Sequence, residues 1–167
     1  MSASRMIWFG RYEGWLRMVA RGVRDGDKEC IRKAAQLFDV MLPDQCIVIP
    51  MPSHTGRADR MHDVMTEFVV NGKGRIGMDV LRCNPHESNY SQKKYGAIPT
   101  PVAMWAHEPS DDMLGFIRMR HDIPVFVIDN VICSGVTASA ALHALGDVAP
   151  NATVCALAYS TWRRHVI

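Results

Sequence analysis

The chain has 167 residues, a length suited to one domain, and 48% of them are apolar, which excludes a disordered chain. Its net charge of +2 is small and not gathered into a tail, so charge alone points neither to nucleic acid nor to a membrane surface. Five scattered cysteines, Cys30, Cys46, Cys83, Cys133 and Cys155, form no CxxC pair; this excludes zinc-ribbon and thioredoxin-type motifs and fits a reduced, cytoplasmic interior.

The opening MSASRMIWFGRYEGW holds no uninterrupted apolar run of the signal-peptide kind. No segment approaches the roughly 20 apolar residues of a membrane span. Trp8, Tyr12, Trp15, Leu16, Val19 and Val23 recur at helical spacing until RDGD breaks the pattern, and their aromatics read as core packing. Lys28 to Leu42 is a second amphipathic helix, with Ile31, Ala34, Ala35, Phe38 and Met41 on one face and Pro43 closing it. Residues 1–44 thus form a helical lead-in.

From Cys46 the pattern changes. CIVIP reads as a short buried parallel strand, PMPSHTGR as a loop, and Ala58 to Val70 as a helix. GMDVLR is a second strand candidate. Cys83 to Pro101 has no clear period, and a loop of that length in a compact chain is usually functional or mobile. A short helix is expected over Met113 to Arg120. VFVID is the strongest strand, Thr137 to Leu145 the helix after it, and TVCALAYS the last strand. Strands alternating with helices predict an α/β core over residues 45–167 with a parallel sheet flanked by helices, the whole chain being one domain.

The most informative stretch is VFVIDNVICSGVTASAALHAL. A buried strand ends on Asp129 and Asn130, and a small-residue loop leads into a helix. In a parallel sheet, ligands bind outside the carboxyl ends of the strands. A helix start offers unpaired N–H groups, Gly135 lets the backbone come close to an anion, and Ser134 and Thr137 add hydroxyl donors. The loop therefore suits a phosphate and Asp129 suits sugar hydroxyls. The plainer reading is an ordinary strand–turn–helix connection. A GxxxxGK[ST] phosphate loop and a GxGxxG fingerprint are both absent, and NGKGR at Asn71 to Arg75 lacks the spacing, which disfavours an NTPase or a dehydrogenase.

VFVIDNVICSGVT resembles the phosphoribosyl pyrophosphate (PRPP) signature of type I phosphoribosyltransferases, matching at the strand, Asp129, Ser134, Gly135 and Thr137 and departing at Asn130, where the family has a second acid. VIPMPSHTGRADRMHDV and DVLRCNPHESNYSQKKY are similar to segments of the ComF-like branch. That branch often carries a Cys-rich zinc module at its amino end; here it is missing, so inferences about DNA uptake do not carry over.

The resemblance implies a type I phosphoribosyltransferase-like fold with a small hood from the terminal segments. It implies an enzyme of nucleotide metabolism that uses PRPP and Mg²⁺ to transfer a phosphoribosyl group to a nitrogenous base or related nucleophile, releasing pyrophosphate. Asp129 and Asn130 would hold the ribose hydroxyls, with Asp129 meeting the metal indirectly through ribose or water. Cys133, Ser134, Gly135, Val136 and Thr137 would hold the 5′-phosphate. Met51, Pro52 and Ser53 would receive pyrophosphate through backbone N–H groups, and Arg57, Arg60 and Arg82 would neutralise it. Ser91, Gln92, Lys93 and Lys94, with Tyr95 nearby, would belong to a flexible loop that closes over the ligand. For each basic residue a solvated charge is an equal reading. His54 and His62 lack a visible triad partner, and Cys133 reads as a small loop residue rather than a nucleophile. The expected partners are PRPP or a nucleoside monophosphate and an unnamed acceptor, without membrane or nucleic acid; a homodimer is compatible. Asn130 carries no charge, so a catalytically weak PRPP- or nucleotide-binding regulatory protein is the alternative.

Overall fold

The computed structural model describes residues 5–88, 102–107 and 112–160. The elements run β1 (Met6–Arg11), α1 (Gly14–Asp25), α2 (Lys28–Met41), β2 (Ile47–Pro50), α3 (Asp59–Val70), β3 (Ile76–Gly77), β4 (Leu81–Cys83), β5 (Met104–Ala106), α4 (Met113–Met119), β6 (Val125–Ile132), α5 (Val136–Ala144) and β7 (Thr153–Tyr159). Five strands form one parallel sheet in the order β1-β7-β6-β2-β3, while β4 and β5 pair antiparallel beside it. The chain is thus an α/β protein with a parallel sheet flanked by helices.

Strand alternation divides the apolar residues between two faces. Ile47, Ile49, Val125, Val127, Val154 and Ala156 point into a core shared with α4, α5 and Leu81. Val48, Ile128, Cys155 and Leu157 point into a second core built on Leu16, Val19 and Val23 of α1, Phe38 of α2 and Phe68 of α3. Strands buried on both faces read as continuous apolar runs, which is why CIVIP and VFVI contain no polar position.

Local chemistry sets the helix ends. Asp27 caps α2 by accepting from the Cys30 N–H at 2.8 Å. Gly26 ends α1 with φ +82°, a left-handed conformation that glycine adopts without strain. Under α2 and α3 lies Arg75, with its side chain wholly buried. It ion-pairs with Asp39, donates to the carbonyls of Pro43 and Leu42, and lies 4.1 Å over the Phe68 ring. The arginine of NGKGR is therefore structural.

The helical lead-in expected over 1–44 holds only from Gly14. Met6–Arg11 is an edge strand that pairs with β7, and the 8-12-15 spacing spans a turn at Tyr12 and Glu13. Met-Ile-Trp-Phe is apolar and aromatic, a composition that suits a pleated, half-covered edge. Trp8 and Trp15 are not core: they are 44% and 49% exposed, and Trp8 stacks on Tyr159 at 4.8 Å. GMDVLR is likewise not one strand. The Met78 N–H still bonds the Val48 carbonyl at 2.9 Å, after which the chain leaves the main sheet and re-forms as β4. The strand expected over VFVID is longer than expected, since β6 continues past Asp129 to Ile132.

Candidate functional site

Because all five strands are parallel, their carboxyl ends share one edge of the sheet. A cavity of about 1050 Å³ opens there, between the β6–α5 corner, the β2–α3 corner and helix α1. Of the residues singled out in the sequence, Met51, Pro52, Ser53, Arg60, Asp129, Asn130, Cys133, Ser134, Gly135 and Thr137 line it.

At the β6–α5 corner, Gly135 sits immediately before the helix with φ +76° and ψ −2°. The N-cap residue, Gly135, has no side chain with which to cap this helix, and its carbonyl already accepts the Ser139 N–H at 2.8 Å. A Cβ on Gly135 would meet the Met6 side chain at 3.6 Å, an ordinary contact. Glycine is needed here for its backbone angle rather than for space.

Asp129 lies at this edge, half-buried, and its Oδ1 accepts the Asn130 N–H at 2.7 Å. Burial pushes its carboxyl up to about 6, against the opposing pull of that hydrogen bond. Neighbouring side chains on a strand leave on opposite sides, and β6 does not begin to turn at Asp129. Asn130 accordingly reaches α1, where its Nδ2 donates to the Ala20 carbonyl at 2.8 Å. Its Oδ1 is buried and has no hydrogen-bond partner among the described residues. The Asn130 Nδ2 is thus committed to the helix, in a bond that a carboxylate, which cannot donate, could not make.

The β2–α3 corner differs from expectation. The Met51 N–H bonds the Ile128 carbonyl at 2.9 Å, Pro52 has no N–H, and the Ser53 N–H bonds the Arg57 carbonyl at 2.7 Å. None of the three offers the free backbone donor anticipated for pyrophosphate. The corner is instead organised on Asp59, whose Oδ2 accepts the hydroxyls of Thr55 at 2.5 Å and Ser53 at 2.8 Å. The Thr55 hydroxyl first, with the Ser53 hydroxyl assisting against burial, holds the Asp59 carboxyl below its ordinary value. No family model matches the sequence, and no curated protein does.

Among the described residues, Arg60 is the one expected cation that reaches the cavity. It contacts Asp63 at 3.4 Å and packs over the backbone of Gly26. Arg57 is exposed and outside the lining. Arg82 is paired with Asp79 at 2.6 Å in the small sheet, also away from the cavity. Val136 is outside the lining as well, whereas His54 borders it and His62 does not. Ser91, Gln92, Lys93, Lys94 and Tyr95, and the tail from residue 161, lie outside the described residues.

Sequence reasoning missed helix α1 as a wall of the site. Tyr12, Arg17, Ala20, Arg21 and Arg24 all border the cavity, as do Asp59 and Asp63. The readable signal was the arginine spacing 17-21-24, which keeps one face of a helix basic beside its apolar face. Among the described residues no group of three or more His, Cys, Asp or Glu side chains could hold a metal ion by itself. No described helix is long and apolar enough to cross a membrane.

Proposed function

We propose that the cavity binds PRPP with Mg²⁺ and that the protein is a phosphoribosyltransferase of the type I kind. The observation that carries this reading is the β6–α5 corner. An acid near the carboxyl end of β6, three residues before the strand stops, a positive-φ glycine and the helix start that follows it border one cavity at the carboxyl edge of a parallel sheet. The first turn of α5 would take the 5′-phosphate with the Ser134 hydroxyl beside it, and Asp129 would accept from a ribose hydroxyl.

The donor set fits Mg²⁺. Asp129, half-buried and with no cluster of metal-ligating side chains around it among the described residues, suits an ion that keeps most of its waters and takes few protein ligands. When bound, the ion would neutralise the pyrophosphate charge and so help it leave. The protein's own part is positional. It holds the ribose so that the bond from C1 to pyrophosphate breaks as a nitrogen nucleophile bonds to C1 and gives up its proton. Asp129 would stand beside the developing positive charge.

A second reading rests on Asn130 and Asp59. With the Asn130 amide committed to α1 and the β2–α3 donors bonded internally, the cavity suits holding a nucleotide more than rapid transfer. Calorimetry with PRPP–Mg²⁺, followed by pyrophosphate release with a panel of bases, separates the two. Binding with release supports the enzyme, and binding without release supports the regulatory protein. If neither PRPP nor a nucleoside 5′-monophosphate binds, both readings are wrong.

A further inference from the structure

Helix α1 is fastened over the cavity by the bond from Asn130 to the Ala20 carbonyl, and by buried Leu16, Val19, Ala20 and Val23. At about 100° per residue, positions 17, 21 and 24 fall within an arc of roughly 60°. All three are arginines and all three border the cavity.

They do not share the same surroundings. Arg24 pairs with Asp25 at 2.9 Å, as Arg60 pairs with Asp63 across the cavity. Arg17 lies 5.9 Å from the Tyr12 ring centre. Neither Arg17 nor Arg21 forms an ion pair among the described residues. A solubilising helix face pairs its charges at i,i+4, as Lys33 and Glu29 do on α2. On α1 the i,i+4 neighbour of Arg17 is Arg21, a like charge that weakens the helix, and Arg21 has Asp25 one turn on only as a carboxylate whose hydrogen bond already goes to Arg24. The cavity, at about 1050 Å³, stands at the upper end of the roughly 300–1,000 Å³ of a ligand pocket and is wider than a sugar phosphate alone needs.

We infer that Arg17 and Arg21 form an oxyanion subsite, and that the second ligand of this cavity carries a carboxylate or phosphate group. The planar guanidinium fork matches both groups, and two forks one turn apart on a fixed helix bring two positive charges to one anion. The assignment of the second ligand as the acceptor of a phosphoribosyl group rests on the proposed function. The subsite itself rests on α1.

The test uses matched neutral and anionic probes: benzamide, benzoate and phenyl phosphate, and nicotinamide against nicotinate. Binding to the full chain is measured by calorimetry with saturating ribose 5-phosphate, which occupies the phosphate loop and has no leaving group. An anionic probe should bind at least about tenfold tighter than its neutral partner, as charge-assisted hydrogen bonds require. Whether benzoate or phenyl phosphate is preferred then identifies the anion. In Arg17→Gln/Arg21→Gln the preference should fall below about twofold, with ribose 5-phosphate affinity unchanged; both positions are exposed, so the variant keeps its core. Equal affinity of neutral and anionic probes, no binding of any anionic probe, or a preference that survives the double substitution overturns the inference. So does a fall in ribose 5-phosphate affinity in the variant, which would assign the arginines to the first ligand. If ribose 5-phosphate itself does not bind the native chain, the proposed function fails, and the probe comparison alone still decides the subsite.

Discussion

Two corners stand side by side at the same edge of the sheet, and they treat their backbones in opposite ways. After β2 the chain closes on itself. Ser53 and Arg57 bond across the turn, the Gly56 N–H returns to the Ser53 carbonyl at 3.0 Å, and Asp59 collects two hydroxyls. Cys83 of β4 fastens the turn from outside, its N–H donating to the Gly56 carbonyl at 3.2 Å. After β6 the chain turns through one glycine, which stands at the N-cap and brings no capping side chain of its own. Both are strand–loop–helix connections. A helix start can serve an anion only where local side chains have not already taken its donors, so the composition of the loop decides more than its place in the fold.

The widest separation between the corners should come from their glycines. Gly56 has φ +98°, and a Cβ there would lie 2.8 Å from the Cys83 carbonyl oxygen, a backbone atom that cannot step aside. Gly56→Val should cost about 4 kcal/mol, combining left-handed strain with the clash, and lower the melting temperature by roughly 8–16 °C. A melting temperature within 2 °C of native would show that the corner is not rigid.

Next comes Asp129. Its carboxyl is raised by burial, so this group favours the folded state fully below the unfolded value of 3.8, and that contribution is lost as pH rises through about 6. At pH 8 the folded chain carries a charge it would rather not hold. Asp129→Asn should therefore stabilise the protein at pH 8 by up to about 3 kcal/mol and do nothing comparable at pH 3. The same substitution should weaken PRPP–Mg²⁺ binding roughly tenfold to a hundredfold. Melting curves across this pH range check the first claim and calorimetry the second. A stability difference that does not vary with pH would remove Asp129 from the buried edge.

Asn130→Asp is a smaller test with a sharper sign. A carboxylate cannot donate to the Ala20 carbonyl, whereas a protonated carboxyl can. The variant should lose about 2 kcal/mol near pH 8 and recover as pH falls. It should not gain activity from the added acid, because residue 130, though it borders the cavity, is turned to the Ala20 carbonyl of α1. Faster pyrophosphate release at undiminished stability would show that residue 130 faces the ligand instead.

The smallest effect is expected at Gly135. There is space for a methyl group, so Gly135→Ala should cost only the left-handed strain, about 1–2 kcal/mol. Inorganic phosphate should nevertheless bind more weakly, and full retention of phosphate affinity would separate the turn from the anion site.

What was legible in the sequence followed from burial. IVIP and VFVI have apolar side chains for both faces of a parallel sheet, and the carboxyl ends of those strands lie at the edge where the cavity opens. The strand–acid–loop–helix order located Asp129 and Gly135 without coordinates. The illegible parts depended on partners distant in sequence. Nothing near Trp8 says that β7, some 150 residues later, will pair with it and make its segment a strand rather than a helix. Nothing near Asn130 says that Ala20 will offer a carbonyl, although strand alternation already argues that two adjacent residues do not share one ligand. The donors of Met51 to Ser53 failed for a local reason. Ser53, Thr55 and Asp59 are the residue types that satisfy a turn from within.

Arg75 carries a consequence for how the molecule opens. One buried guanidinium joins the end of α2, the approach to β3 and the Phe68 ring of α3. If any one of these lets go, a charge remains in the interior without its acceptors, so partial release is more costly than joint release. Residues 39–75 should therefore exchange their amide hydrogens as one cooperative block, while the edge strand β1, held on one side only, frays ahead of it.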